Sequence, residues 1–165
     1  MIDREEFPRD KPCGGAVTPR AAKLLPFDIA PVVERTVSSM HLSMRHAKGF
    51  TRYADEKLVY LTQRRNLDTF LAECAVKQGV DFRQKSVVRS IERFPTHVLV
   101  HTNNETFKGS VLVAADGANG KTAEMAGVDV SILHGIALEG NITFDDGFPE
   151  EWQDRIGLNF GTVAG

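Results

Sequence analysis

Long apolar runs, a surplus of cationic side chains and cysteine are all scarce in this sequence of 165 residues, and each shortage removes a class of function. No stretch approaches the roughly 20 apolar residues that cross a bilayer as a helix. The opening Met1-Ile2-Asp3-Arg4-Glu5-Glu6-Phe7 is too charged for a secretory signal, so the default location is the cytoplasm. Twenty Lys and Arg against 22 Asp and Glu leave a formal charge of −2, without the basic excess that a nucleic-acid-binding protein needs. Cys13 and Cys74 are too few and too far apart for a disulfide framework or a Cys-x-x-Cys site. Two Asn-x-Thr sequons, at Asn104 and Asn141, have no secretion signal beside them and read as chance. Catalytic signatures are scarce as well: there is no P-loop, no ordered Ser/His/Asp set and no Gly-x-Gly-x-x-Gly. His97 and His101 stand four apart, but in a strand-like segment without Glu-x-x-His, so zinc is not expected there.

What is present is enough apolar material, 42% of residues, to bury the core of one domain. One stretch stands out: Ser110-Val111-Leu112-Val113-Ala114-Ala115 runs into Asp116-Gly117-Ala118-Asn119-Gly120. A short continuous apolar run with turn residues at its end predicts a strand buried on both faces, as in a parallel sheet. Ligands bind at that end of open α/β sheets, while Asp-Gly is also one of the commonest turn dipeptides, so an ordinary strand-turn-helix connection is the other reading. A short helix over Lys121–Ala126 would aim its free N–H groups at an anion such as a pyrophosphate.

The remaining pattern places the other elements. Ile2-Asp3-Arg4 reads as the tail of a strand, followed by a Pro- and Gly-rich loop from Phe7 to Gly15 whose glycine pair lets backbone approach a flat ligand. Thr18-Pro19 predicts an N-cap and a short helix from Pro19 to Leu25. Period-two alternation from Val37 to Tyr53 predicts two or three antiparallel strands with Lys48-Gly49 near a turn, and Leu58 to Thr62 predicts another strand. Leu67, Phe70, Leu71, Cys74 and Ala75 form a helical stripe, with Gly79 placed for a C-terminal cap and Cys74 assigned to packing. Arg64 and Arg65 open that helix, where the dipole disfavours cations; arginines kept there either serve a ligand or are two solvated surface residues. Val80 to Phe82 predicts a short strand. Val87 to Phe94, Val98 to Thr102 and Glu105 to Lys108 predict an antiparallel meander. His134 to Phe144 and Ile156 to Val163 predict two longer strands joined by an acidic, aromatic connection. The end at Thr162-Val163-Ala164-Gly165 has no polar tail and suggests truncation.

Three segments in this order, Asp3-Arg4 with Phe7 to Gly15, Arg64-Arg65 with Leu67-Asp68 and Phe70-Leu71, and Val111 to Gly120, resemble the geranylgeranyl reductase family. These are FAD-dependent oxidoreductases with a fold like p-hydroxybenzoate hydroxylase. The resemblance runs over nearly the whole chain and implies roles. Asp3 matches the acidic residue that holds the adenosine ribose of FAD. Cys13, Gly14 and Gly15 match the loop near the isoalloxazine ring. Arg64 or Arg65 matches the arginine against the ribityl and pyrophosphate region. Asp116 and Gly117 match the Asp-Gly motif near the pyrophosphate and the NAD(P)H cofactor. The Gly-x-Gly-x-x-Gly expected ahead of the acidic residue and the Gly-Asp motif expected after the substrate domain are both absent. The chain therefore reads as an internal fragment that alone binds FAD weakly or not at all.

The expected fold class is α/β (α+β mixed): a partial FAD/NAD(P)-binding Rossmann-like domain with a β-meander, from residues 1–32 and 58–128, plus part of an antiparallel-sheet substrate domain, from 33–57 and 129–165. The expected parent activity is hydride transfer from NAD(P)H through flavin to a carbon–carbon double bond of a prenyl chain, with a small isoprenoid or other apolar substrate. The resemblance leaves open peripheral contact of the parent with a membrane. Two alternatives remain at this point: a flavin monooxygenase or halogenase of the same fold, and a non-catalytic protein-interaction module.

Overall fold

The computed structural model describes residues 1–129 and 135–161. Along the chain stand β1 (Ala16–Val17), α1 (Pro19–Ala22), β2 (Val33–Val37), β3 (Ser39–Met44), β4 (Phe50–Tyr53), β5 (Val59–Thr62), α2 (Arg64–Lys77), β6 (Val88–Arg93), β7 (Val98–Thr102), β8 (Thr106–Gly109), α3 (Thr122–Met125) and β9 (Arg155–Phe160). Single 3-10 turns occur at Ala30–Val32 and Glu150–Trp152. The chain forms two compact units, one from Pro8–Leu71 with Glu139–Gly165 and one from Met1–Phe7 with Ala72–Leu138.

The Pro8–Leu71 unit holds two three-stranded sheets. In the first, β5 lies between β1 and β2, antiparallel to both. In the second, β3 lies between β4, which is antiparallel, and β9, which is parallel, so this sheet is mixed. Strand alternation sends Val37 and Val59, which are paired, into the core, together with Ser39. Ser39 and Ser38 donate their backbone N–H groups to the Asp154 carbonyl at 3.1 and 3.0 Å, which fixes the entry to β9. The hairpin between β3 and β4 turns through Arg45 and His46, both left-handed (φ 50° and 57°). Thr18 caps α1 by accepting from the Ala21 N–H at 3.2 Å, and Pro19 takes the first helical position where its missing N–H costs nothing.

In α2 the stripe buries Leu67, and Phe70 meets Phe27 edge-on at 5.8 Å. The helix ends in a Schellman motif: Gly79 (φ 89°) donates to Val76 O at 2.9 Å and Val80 donates to Ala75 O at 3.1 Å.

In the other unit β6, β7 and β8 form the expected meander. The first residues run alongside 81–86: Ile2 bridges Arg83 in parallel, Asp3 N–H donates to Arg83 O, and Ser86 N–H donates to Asp3 O. Phe7 closes on Phe82 edge-on at 5.3 Å. Arg93 reaches the end of α3 with a hydrogen bond to Ala126 O at 3.0 Å.

Several sequence expectations require correction. The run from Ser110 to Ala115 is no strand: Val111 and Val113 are 77% and 80% exposed. A strand buried on both faces needs neighbours on both edges to take its N–H and C=O groups, and no described strand reaches this one. The same reason applies to residues 135–144, which form no strand and leave Ile136 and Leu138 exposed; His134 lies outside the described residues. Val80 to Phe82 forms no strand beyond the single bridge at Arg83. The first helix stops at Ala22 and passes into a turn. The last strand runs Arg155–Phe160; residues 162–165 lie outside the described part.

Candidate functional site

The chemistry-bearing residues of the Pro8–Leu71 unit gather where the loop 8–15 meets the start of α2. Gly15 is buried and left-handed (φ 65°), and its carbonyl accepts from Thr62 N–H at 3.0 Å and Thr62 Oγ1 at 2.8 Å. A Cβ at Gly15 would stand 1.8 Å from Thr62 O, so only glycine lets the loop close onto β5. At Gly14 a Cβ would meet no atom within 4 Å. The loop thus presents Cys13 and Gly14 outward from a fixed base.

β5 ends at Thr62 and α2 begins at Arg64, so the arginine is delivered beside that base. Its guanidinium makes a bidentate pair with Asp68 one turn on, both contacts at 2.8 Å. Arg9 from the loop reaches the same carboxylate at 3.2 Å. Asp68 therefore offsets the unfavourable dipole at the helix start and fixes the direction of Arg64. Hydrogen bonding to Asp68 holds the Arg64 guanidinium firmly in its charged form, above its ordinary range. Cys13 is exposed, and its thiol is pulled below the ordinary value, first by the Gly15 backbone N–H and then by Arg64. Arg65 turns to Asp10 at 3.6 Å, an exposed pair. Cys13, Gly14, Gly15, Arg64 and Arg65 thus form one neighbourhood.

Asp3, Asp116 and Gly117 belong to the other unit. Asp3 Oδ1 accepts from Glu5 N–H at 2.9 Å. Asp116 Oδ2 accepts from Thr122 Oγ1 at 2.6 Å and from Thr122 N–H at 2.9 Å, which lowers the carboxyl's pKa. The anion at the start of α3 in this arrangement is therefore Asp116 itself. Gly117 (φ 83°) makes the turn that permits this, with Gly120 N–H donating to Gly117 O at 2.9 Å. A Cβ at Gly120 would fall 2.2–2.4 Å from the Asp116 carboxylate group, so both glycines serve the same turn.

Asp68, Thr62 and Thr122 have no role among the sequence expectations. The spacing of Arg64 and Asp68 by four on a helix is a signal that would have found the first. The other two acquire their partners only through loop closure. His101 bonds Glu92 at 2.6 Å and Thr106 at 2.9 Å, while His97 stacks on Phe94. Among the described residues no group of three or more His, Cys, Asp or Glu is placed to hold a metal ion, and no helix is long and apolar enough to cross a membrane.

No family model matches the chain. An uncharacterized protein of Methanosarcina barkeri is 29% identical over 168 residues, covering 99% of this chain and 42% of that protein. Among solved structures, a geranylgeranyl bacteriochlorophyll reductase-like protein from Thermoplasma acidophilum superposes with a TM-score of 0.72 at 18% identity, over 99% of this chain and 44% of that one. FqzB gives 0.62 at 21% identity, over 76% and 32% of the two chains. The halogenase PltM in complex with phloroglucinol and FAD gives 0.60 at 18% identity, over 76% and 31%. The chain spans less than half the length of each of these proteins. In fold, then, it is a mixed α/β chain similar to part of a geranylgeranyl bacteriochlorophyll reductase-like protein and of a halogenase solved with FAD.

Proposed function

We propose that this chain is part of an FAD-dependent oxidoreductase of the reductase type, acting with NAD(P)H on a carbon–carbon double bond of a prenyl or similarly apolar substrate. The observation that carries the reading is the Cys13–Gly15 loop anchored beside an oriented Arg64. The donor set suits a flavin dinucleotide: Arg64 is a fixed cation for a phosphate or a polar ring edge, and Gly14 leaves the backbone open to a flat group. FAD, when bound, supplies the two-electron relay between nicotinamide and substrate. The residues of this chain hold and orient: Asp68 and Arg9 fix Arg64, Thr62 fixes the loop, and the Cys13 thiol stands at the loop's outer edge. The likeness to the reductase-like protein over 99% of the chain, against 76% for the halogenase, favours reduction over halogenation.

The test is the chain extended at both ends, produced with FAD supplied. The expected result is a yellow protein whose flavin affinity falls about tenfold in Arg64→Ala, one charge-assisted contact, and is unchanged in His97→Ala. A colourless protein, or equal losses from both substitutions, overturns the reading. Chloride incorporation into an aromatic substrate, in place of NAD(P)H-dependent saturation of a prenyl chain, would assign the halogenase alternative.

A further inference from the structure

In the Pro8–Leu71 unit a cavity of about 520 Å³ opens between α1 and the β1-β5-β2 sheet. Its lining shares no residue with the Cys13–Arg64 neighbourhood. Strand alternation explains its floor: Thr36 and Tyr60, paired across β2 and β5, face the cavity, while their neighbours Val37 and Val59 go into the core. Phe27, Val33 and the buried Ile29 complete an apolar base, and Ala22 of α1 forms a wall without a bulky side chain.

The charges lie around this apolar base. Lys23 follows α1 and Lys57 precedes β5, and both line the cavity. The Lys57 ammonium stands 5.7 Å from the Tyr60 ring centroid. Among the described residues neither lysine has a carboxylate within ion-pair distance. Asp28 also lines the cavity, but its Oδ1 accepts from the Ala30 N–H at 2.9 Å, where it shapes the turn into Ala30–Val32. Two ammonium groups against one committed carboxylate leave a surplus positive charge around an apolar hollow. Ligand sites combine an apolar lining of this size with a few converging polar groups.

We propose that this cavity binds a small amphipathic anion, an apolar body carrying one carboxylate or phosphate headgroup. The body lies on Phe27, Ile29 and Tyr60, and the headgroup takes the ammonium groups of Lys23 and Lys57. A cationic ligand is disfavoured by both lysines, and a neutral one leaves their charge unanswered.

Backbone amide NMR titrations of the chain with decanoate and with decyl phosphate, below micelle-forming concentrations, test the proposal, with decanol as the uncharged control. The expected result is saturable shifts at Ala22, Lys23, Ile29, Ala30 and Tyr60 for at least one anion, the tighter of the two identifying the headgroup. Affinity should fall about tenfold for decanol and in the Lys23→Ala/Lys57→Ala double variant, and stay within about threefold in Lys57→Arg, which keeps the charge. Both lysines are exposed, so the variants retain the amide spectrum of the fold. Shifts centred on β3, β4 and β9, equal affinity for decanol, an unaffected double variant, or no saturable shift with either anion would overturn it.

Discussion

Asp68 is the residue on which the loop–helix neighbourhood turns. It receives Arg64 and Arg9, and through Arg64 it acts on Cys13. The Cys13 thiol is lowered chiefly by the Gly15 N–H, with Arg64 second, because both favour the thiolate. Its alkylation by iodoacetamide should therefore reach half-maximal rate at a pH below the roughly 8.5 of an ordinary thiol. In Arg64→Ala the midpoint should rise but stop short of the ordinary value, since the Gly15 contact persists. A midpoint that does not move shows that the guanidinium has no hold on the thiol. Cys74, on the packed stripe of α2, should react more slowly throughout.

At the scale of elements, the closure of the loop onto β5 depends on Gly15 and not on Gly14. Gly15→Ala forces a Cβ against Thr62 O in a left-handed backbone and should cost about 2–4 kcal/mol. Gly14→Ala meets open space and should change stability by no more than about 0.5 kcal/mol. Urea unfolding of the two variants reads the difference, and equal losses would show that the loop is not clamped there. The α3 turn shows the same economy of contacts. Asp116, Gly117 and Gly120 serve one cap, so an Asp-Gly signal that reads as a nucleotide-binding turn is first a device for starting a helix. Because its pKa is lowered by folding, Asp116 stabilises the cap above the unfolded carboxyl value, about 3.9, and this is lost as pH falls through the folded value.

For the whole molecule, the notable feature is apolar surface left in contact with solvent. Register places Leu42 opposite both Phe50 and Leu158, and Met44 opposite Phe160, all on one face of the mixed sheet. Met44, Phe50, Leu158 and Phe160 are exposed there. Such contiguous surface binds apolar dyes and favours association. The chain should therefore enhance 1-anilinonaphthalene-8-sulfonate fluorescence. The double variant Phe50→Ser/Phe160→Ser should lower that signal and the tendency to associate, with stability changed by only about 0.5 kcal/mol. A dye signal that survives the substitutions would place its origin elsewhere, with Ile136, Leu138 and Val113 the next exposed residues to replace.

What the sequence determined by itself was whatever depends on near neighbours. The stripe and Schellman end of α2, the Thr18 cap, the β6-β7-β8 meander and the existence of the β3–β4 hairpin all follow from spacing, capping chemistry and turn residues within a few positions, although the turn itself falls at Arg45-His46, just before Lys48-Gly49. Tertiary structure decided the rest. Val111 to Val113 and Ile136 to Leu138 have strand composition and no strand, because a strand exists only where another takes its backbone hydrogen bonds. The parallel pairing of β9 with β3, over a hundred residues apart, carries no local signature. The loop's cysteine and glycines and the helix's arginines were legible as residues of interest. That Thr62 clamps the loop and that Arg9 joins Arg64 on Asp68 was not, since those partners meet only once the chain has folded back on itself.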